Sequence, residues 1–422
     1  MYSIKPWGHA ALIGNTVAAT TLGIGMRWRE TVAHLYERRP DPGYEMWKLR
    51  RCLISRNTVR LLVDLGVSER QLTRELRPAH GWRFYTPDLN PLREGDTFPG
   101  CAPTEDVFQV PEGCLLRTLR REFQKFGGHV DFDTVAYQPQ PSSDGTGYWQ
   151  LTKDYGAQQS LEAIVSTCRK ASHPEASDVL FHRDDAAAVP TVPFAVTTGV
   201  CLKPPPAVEK IFRGDARTGG GASAADYAVV LGRDFAIHMW APRSDQLPLP
   251  PGAVAWRRSA FADADCARGI AELHPEVRMM MAGGEHSVNV KDDEVHVATS
   301  ACPLMEEAHA SRVTLLGNGL LPVDAFEFRG DKIMLDIEDA TALCRRLYSQ
   351  RFHRGFVPTD FREYEMDTLT KRLHHVQRDL RDADMFLNAL EELPADDGRR
   401  PPPPERVEAG DGAAQAGASP SA

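Results

Sequence analysis

The sequence predicts an α/β protein: a discontinuous Rossmann-like domain with an inserted, mostly antiparallel β-sheet domain. Three observations carry this expectation. Residues 10–37 read as a β-α-β unit, strand-like runs dominate from about residue 190 to 300, and an apolar strand returns at 313–316 just before Gly317. Residues 1–185 and 300–393 are thereby assigned to the first domain and 186–299 to the second. Residues 394–422 (proline, glycine, alanine and charge, with four prolines at 401–404) are assigned to a disordered tail.

The opening unit is built in order. Ala10, Ala11, Leu12 and Ile13 form a short apolar strand, and Gly14 stands where such a strand turns. Residues 17–29 suit a helix, and residues 32–36 form a second strand that ends at Glu37. In a dinucleotide site of this type, glycines allow the tight turn, the approach of backbone to pyrophosphate and the helix–strand contact. The acid closing the second strand takes the ribose hydroxyls. The three glycine positions here read Gly14, Thr16 and Ala19.

Further on, residues 56–65 carry apolar positions at helical spacing and end at Gly66. Residues 69–106 suggest short strands and loops. A helix is expected over 115–126, stopped by Gly127 and Gly128, with a strand following at 129–132. Strands are then expected at 194–202, 227–231, 235–240 and 253–256. The glycine run at 219–221 has no Lys-Ser/Thr after it and reads as a loop rather than a phosphate cradle. Helices are expected at 336–348 and 360–390.

Composition excludes several classes. A net charge of −9 argues against nucleic acid as the main partner, which needs a concentrated basic surface. No apolar run approaches the roughly 20 residues that span a bilayer. The 8 cysteines form no C-x-x-C pair, which points to free thiols rather than a disulfide framework or a zinc site. The first 29 residues lack acids, as transit peptides do, yet a strand already begins near His9 and leaves no removable presequence. A cytoplasmic or mitochondrial protein is the expectation.

On these residues the chain resembles the class A FAD-dependent aromatic monooxygenases, with features of kynurenine 3-monooxygenase and of ubiquinone-biosynthesis hydroxylases. The second strand with Arg38, Arg39 and Pro40, and the 23-residue interval from Gly14 to Glu37, are similar to that family. Arg51, followed by Cys52, Leu53, Ile54 and Ser55, resembles its next block, whose arginine lies close to the flavin. Leu247, Pro248 and Leu249 before the strand ending at Trp256 resemble its substrate-domain strands. Ile337, Glu338, Asp339 and Ala340 resemble the start of its last cofactor-side helix, and Tyr364 and Glu365 its C-terminal helix. The resemblance implies FAD held by Gly14, Thr16, Ala19, Glu37, Arg51, Gly317, Asn318 and Gly330. It also implies NADH or NADPH as transient electron donor and a small aromatic substrate.

The chain departs from the family pattern at three places. Thr16 replaces a glycine and is expected to point at the pyrophosphate path. Cys168 and Arg169 stand where an Asp-Gly pair is expected. Asn318 replaces an aspartate and Lys332 a turn glycine. At roughly 1.4–2.8 kcal/mol each, these would lower affinity by about three to six decades. Three readings follow: an aromatic hydroxylase, a non-catalytic descendant with weak or no FAD binding serving as scaffold or subunit of a protein complex, and a binder of another nucleotide or a small aromatic in the same cleft. Glu285 and His286 lack a third partner for acid–base work. His374 and His375 point about 100° apart on a helix and suggest surface positions. Cys168 reads as a small filler after a core strand.

Overall fold

The computed structural model describes residues 8–40, 50–79, 82–92, 107–134, 136–141, 149–153, 158–167, 191–213, 227–232, 235–242, 249–261, 270–283, 287–298, 312–321, 332–349 and 356–391. The chain opens with β1 (His9–Ile13), α1 (Val17–Trp28) and β2 (Val32–Tyr36), then β3 (Arg51–Ser55), α2 (Arg56–Asp64) and α3 (Glu69–Glu75). Next come β4 (Arg77–Pro78), β5 (Trp82–Tyr85), β6 (Val107–Pro111), α4 (Glu112–Lys125) and β7 (His129–Asp131). β8 (Ala136–Pro141), β9 (Trp149–Lys153), β10 (Gln158–Leu161) and β11 (Ala163–Ser166) follow.

The strand-rich stretch holds β12 (Thr191–Cys201), α5 (Pro206–Arg213), β13 (Tyr227–Leu231), β14 (Phe235–Trp240), β15 (Val254–Phe261), α6 (Pro275–Met281) and β16 (Ser287–Ala298). β17 (Val313–Leu315), a 3-10 turn (Gly317–Gly319), α7 (Lys332–Ser349) and α8 (Pro358–Glu391) close it.

A five-stranded parallel sheet in the order β17-β11-β1-β2-β7 organises the first part. Its register sets Ala10 beside Ala163 and Ala33, and Ile164 beside Val313, so the strand at 313–315 joins the same sheet as the opening strand, as expected. The central strands are apolar throughout, as strands covered on both faces must be. α1 is buried from Val17 to Met26 because it lies between the sheet and other helices. One cluster joins its Val17, Leu22 and Met26 to Leu119 and Phe123 of α4 and to Ile337 and Leu343 of α7.

The second large sheet is six-stranded, in the order β16-β12-β15-β14-β13-β5. It is antiparallel except for β5, which runs parallel to β13 and comes from outside residues 186–299. Its two faces pack differently. One carries Tyr227, Val229, Ala236, Trp240 and Ala255 into a cluster with Leu315, Leu320, Leu321 and Leu335. The other packs Val230, Ile237, Met239 and Trp256 on Val208 of α5 and Val277 of α6.

Several expectations are corrected. α3 lies in the stretch read as strands and loops. α4 begins at Glu112 and α7 at Lys332, each earlier than expected; the first turn of α4 opens on Glu112 and Gly113, whereas that of α7 is apolar after Lys332. β16 escaped notice because Lys291, Asp292, Asp293 and Glu294 break its apolar pattern. Its place at the sheet edge tolerates that polarity. Of the two adjacent histidines on α8, His374 is exposed, whereas His375 is buried and meets Arg378. The expected tail at 394–422 lies outside the described residues.

Candidate functional site

Because β1, β2, β11 and β17 run parallel, their carboxyl ends lie along one edge, where α/β sheets of this kind take ligands. Gly14 leaves β1 at φ +97°, a conformation that favours glycine, and its N–H donates to Tyr36 O at 2.8 Å. The next N–H, of Asn15, donates to Glu37 Oε2 at 2.7 Å, and Arg39 N–H donates to Glu37 Oε1 at 2.9 Å. Glu37 therefore ties the exit of β2 to the turn after β1. Thr16 is the N-cap of α1, and its Oγ1 accepts the Ala19 N–H at 3.2 Å. Its hydroxyl oxygen thus caps the helix end.

β11 and β17 complete the edge. Thr167 donates to Ile13 O from both its N–H (2.9 Å) and its Oγ1 (3.0 Å). Leu316 N–H donates to Ser166 O at 2.8 Å, placing the turn that follows. Gly317 has φ +61°, and a Cβ there would meet Asp336 Oδ1 at 3.0 Å and Ala18 Cβ at 3.2 Å. A Cβ on Gly319 would fall 2.7 Å from Ser166 O, inside any real contact. This turn is therefore wedged between β11 and the first turn of α1.

Behind Gly317 lies a buried ion cluster. Arg372 of α8 is fully buried, with Nε donating to Asp339 Oδ2 at 2.5 Å, Nη1 to Leu321 O at 3.0 Å and Nη2 to Asp336 Oδ1. Burial raises Asp339 above the ordinary carboxylate range, while Arg372 and Lys371 pull it back down. Nearby, the buried Glu365 of α8 accepts from Thr314 Oγ1. Burial pushes its carboxyl up to about 7.

The structure thus brings Gly14, Thr16, Ala19, Glu37, Gly317 and half-buried Asn318 to one edge. Arg51 has other partners: Nε donates to Gln109 Oε1 at 2.8 Å, and its guanidinium lies 4.3 Å from the centre of the Tyr227 ring. The Tyr227 hydroxyl in turn bonds to His238 Nδ1. Lys332 is buried at the start of α7. Gly330, Cys168, Arg169, Glu285 and His286 lie outside the described residues.

Sequence reasoning missed Asn15, Thr167, Arg372 and the Tyr227–His238 pair. One signal was available, since Asp336 and Asp339 are three apart on a helix and share a face that needs a cation.

No family model matches the sequence, and no curated protein matches it. Solved structures do resemble the fold. Native FqzB aligns over 92% of this chain and 88% of its own, at 14% identity and a TM-score of 0.66. A single-residue variant of HpxO from Klebsiella pneumoniae, complexed with FAD, covers 91% and 92%, at 13% identity and TM-score 0.64. A putative FAD-containing monooxygenase from Photorhabdus luminescens subsp. laumondii covers 92% and 100%, at 15% identity and TM-score 0.62. The chain shares its fold with these structures across nearly its whole length.

Proposed function

We propose that this chain binds FAD at the carboxyl edge of its five-stranded sheet and, with NADH or NADPH as electron donor, hydroxylates a small aromatic substrate. The observation that carries the reading is the junction of Gly14, Asn15 and Glu37. A left-handed glycine there opens the turn, and the half-buried Glu37 carboxylate beside it would meet the ribose hydroxyls. Each Glu37 oxygen accepts one backbone N–H and keeps lone-pair capacity for a sugar hydroxyl. α1 has no acid in its first turn, so its positive end is left for an anion. The Thr16 hydroxyl accepts from Ala19 and can still donate to a phosphate.

These residues fit the adenosine diphosphate half of the cofactor. On the flavin side, Gly317 and Asn318 would face the ribityl chain, with Gly330 and Arg51 nearer the ring. The bound flavin supplies the redox and oxygen chemistry. This chain's residues then have to bind, orient and exclude water. Residues 1–185 and 300–393 would form the nucleotide unit, and 186–299 the substrate-facing unit. Titrating the protein into FAD and following flavin fluorescence tests this. Glu37→Ala should weaken binding by about 1–3 kcal/mol, as for loss of a charged hydrogen-bonding partner.

A second reading, a non-catalytic scaffold or complex subunit, is favoured by the buried Lys332 at the turn-glycine position and by the use of the Ala19 N–H within the chain. A folded protein that binds FAD weakly or not at all and oxidises neither NADH nor NADPH would support this second reading.

A further inference from the structure

α8 touches the chain on both sides of the Gly317 turn. On the near side the buried Glu365 accepts from Thr314 Oγ1 and from the Leu315 N–H, so it holds the last two residues of β17. On the far side Arg372 donates to Leu321 O and to Asp336, whose Oδ1 fills the space a Gly317 Cβ would need. Seven residues apart on one helix, Glu365 and Arg372 share a face and stand about 10 Å apart along the axis. A single helix thereby grips both ends of the turn.

The two grips differ in charge. Arg372 is matched by two carboxylates, Asp336 and Asp339 of α7. Glu365 is 7% exposed and makes no ion pair among the described residues. Thr314 faces it from β17, and the buried Tyr364 beside it lies within electrostatic reach of Asp339, Arg372 and Glu365. From β13, Tyr227 joins the cluster that holds Leu369 and Val376 of α8, and its hydroxyl is bonded to His238. The one buried cation here is already held by its two acids. A buried carboxyl with hydrogen bonds and no cation of its own favours the protonated form, and burial pushes this one up to about 7.

We infer that Glu365 is a positioning residue for the cofactor turn, holding it for FAD while protonated and loosening it when ionised. An unmatched charge at this depth would draw the carboxyl toward water and release Thr314 and the Leu315 N–H, two residues before Gly317. It would also set a negative charge beneath a site proposed for an anionic diphosphate. Both effects have one sign, so FAD affinity falls as pH rises through about 7. The inference rests on the cofactor reading above and adds its proton linkage.

The test is fluorescence titration of FAD with the full chain from about pH 6 to 8, for wild type, Glu365→Gln and Thr314→Val. Wild-type affinity should fall about three- to tenfold over that range. Glu365→Gln keeps the shape without the ionisation and should hold the low-pH affinity throughout. Thr314→Val removes a hydrogen bond that favours the ionised form, so the midpoint of the fall should move to higher pH. If Glu365→Gln does not fold, that midpoint still decides. Parallel profiles for wild type and Glu365→Gln, or an unmoved midpoint in Thr314→Val, would overturn the inference. Hydrogen exchange of residues 313–321 without FAD, corrected for intrinsic rates, reads the turn itself, and its protection should fall with pH in wild type but not in Glu365→Gln. Such a fall in a chain that binds FAD at no pH defeats only the cofactor reading. FAD binding with affinity and protection indifferent to Glu365→Gln defeats only this inference.

Discussion

The two sides of the parallel sheet's carboxyl edge are held by different physics. On the β1–β2 side, backbone does the positioning: Gly14 N–H meets Tyr36 O, and the N–H groups of Asn15 and Arg39 meet Glu37. On the β17 side, buried charge does it: Arg372 binds Asp336, Asp339 and the carbonyl of Leu321 directly behind the Gly317 turn. Hydrogen bonds from backbone to a half-buried carboxylate leave that carboxylate able to take another partner. A fully buried ion cluster has no such reserve, because desolvation of each charge is offset only by its fixed partners. The first side therefore suits a ligand contact, and the second fixes the turn's shape.

That contrast can be broken by mutation. Arg372→Ala should give the largest loss, about 3–5 kcal/mol in urea unfolding, because it strands Asp336 and Asp339 without their buried cation. A loss under about 1 kcal/mol would mean that the cluster does not hold the turn.

The pH dependence comes next in size. Burial raises Glu365 to about 7 from an ordinary 4.5, so between those values the folded chain holds a proton that the unfolded chain has released. Stability from this group is complete below about 4.5, falls as pH rises through 7 and levels off above it, a change of roughly 3 kcal/mol. Glu365→Gln should flatten that part of the profile and be the more stable protein at pH 8. Parallel profiles for the two proteins would count against it.

The backbone-held side should respond in binding more than in folding. Glu37→Ala is expected to lower FAD affinity by about 1–3 kcal/mol, read by flavin fluorescence. The smallest effect belongs to Thr16→Ala, which removes the α1 cap and should cost about 1 kcal/mol in thermal or urea unfolding.

How far the sequence revealed these features follows from how local each one is. β1, α1 and β2 were readable because apolar spacing, Gly14 and the terminal Glu37 all lie within one short segment. β17 was readable as an apolar strand, and its neighbour β11 as a buried one. The capping bond of Thr16 was not readable, because it depends on the β-region backbone at this N-cap. Arg372 was hidden among the many basic residues of α8, since only the packing of α8 on α7 shows which of them is buried. Two-residue alternation puts His238 with Trp240 and Arg257 with Ser259. Bringing those pairs onto one patch required the β14–β15 register, which is non-local.

The most direct test of the central claim is the absorbance of the purified chain across the near-ultraviolet and blue flavin bands, after incubation with FAD and removal of free cofactor. The account predicts a yellow protein carrying one flavin per chain, with less retained by Glu37→Ala. A colourless protein that also fails to quench FAD fluorescence saturably would contradict it.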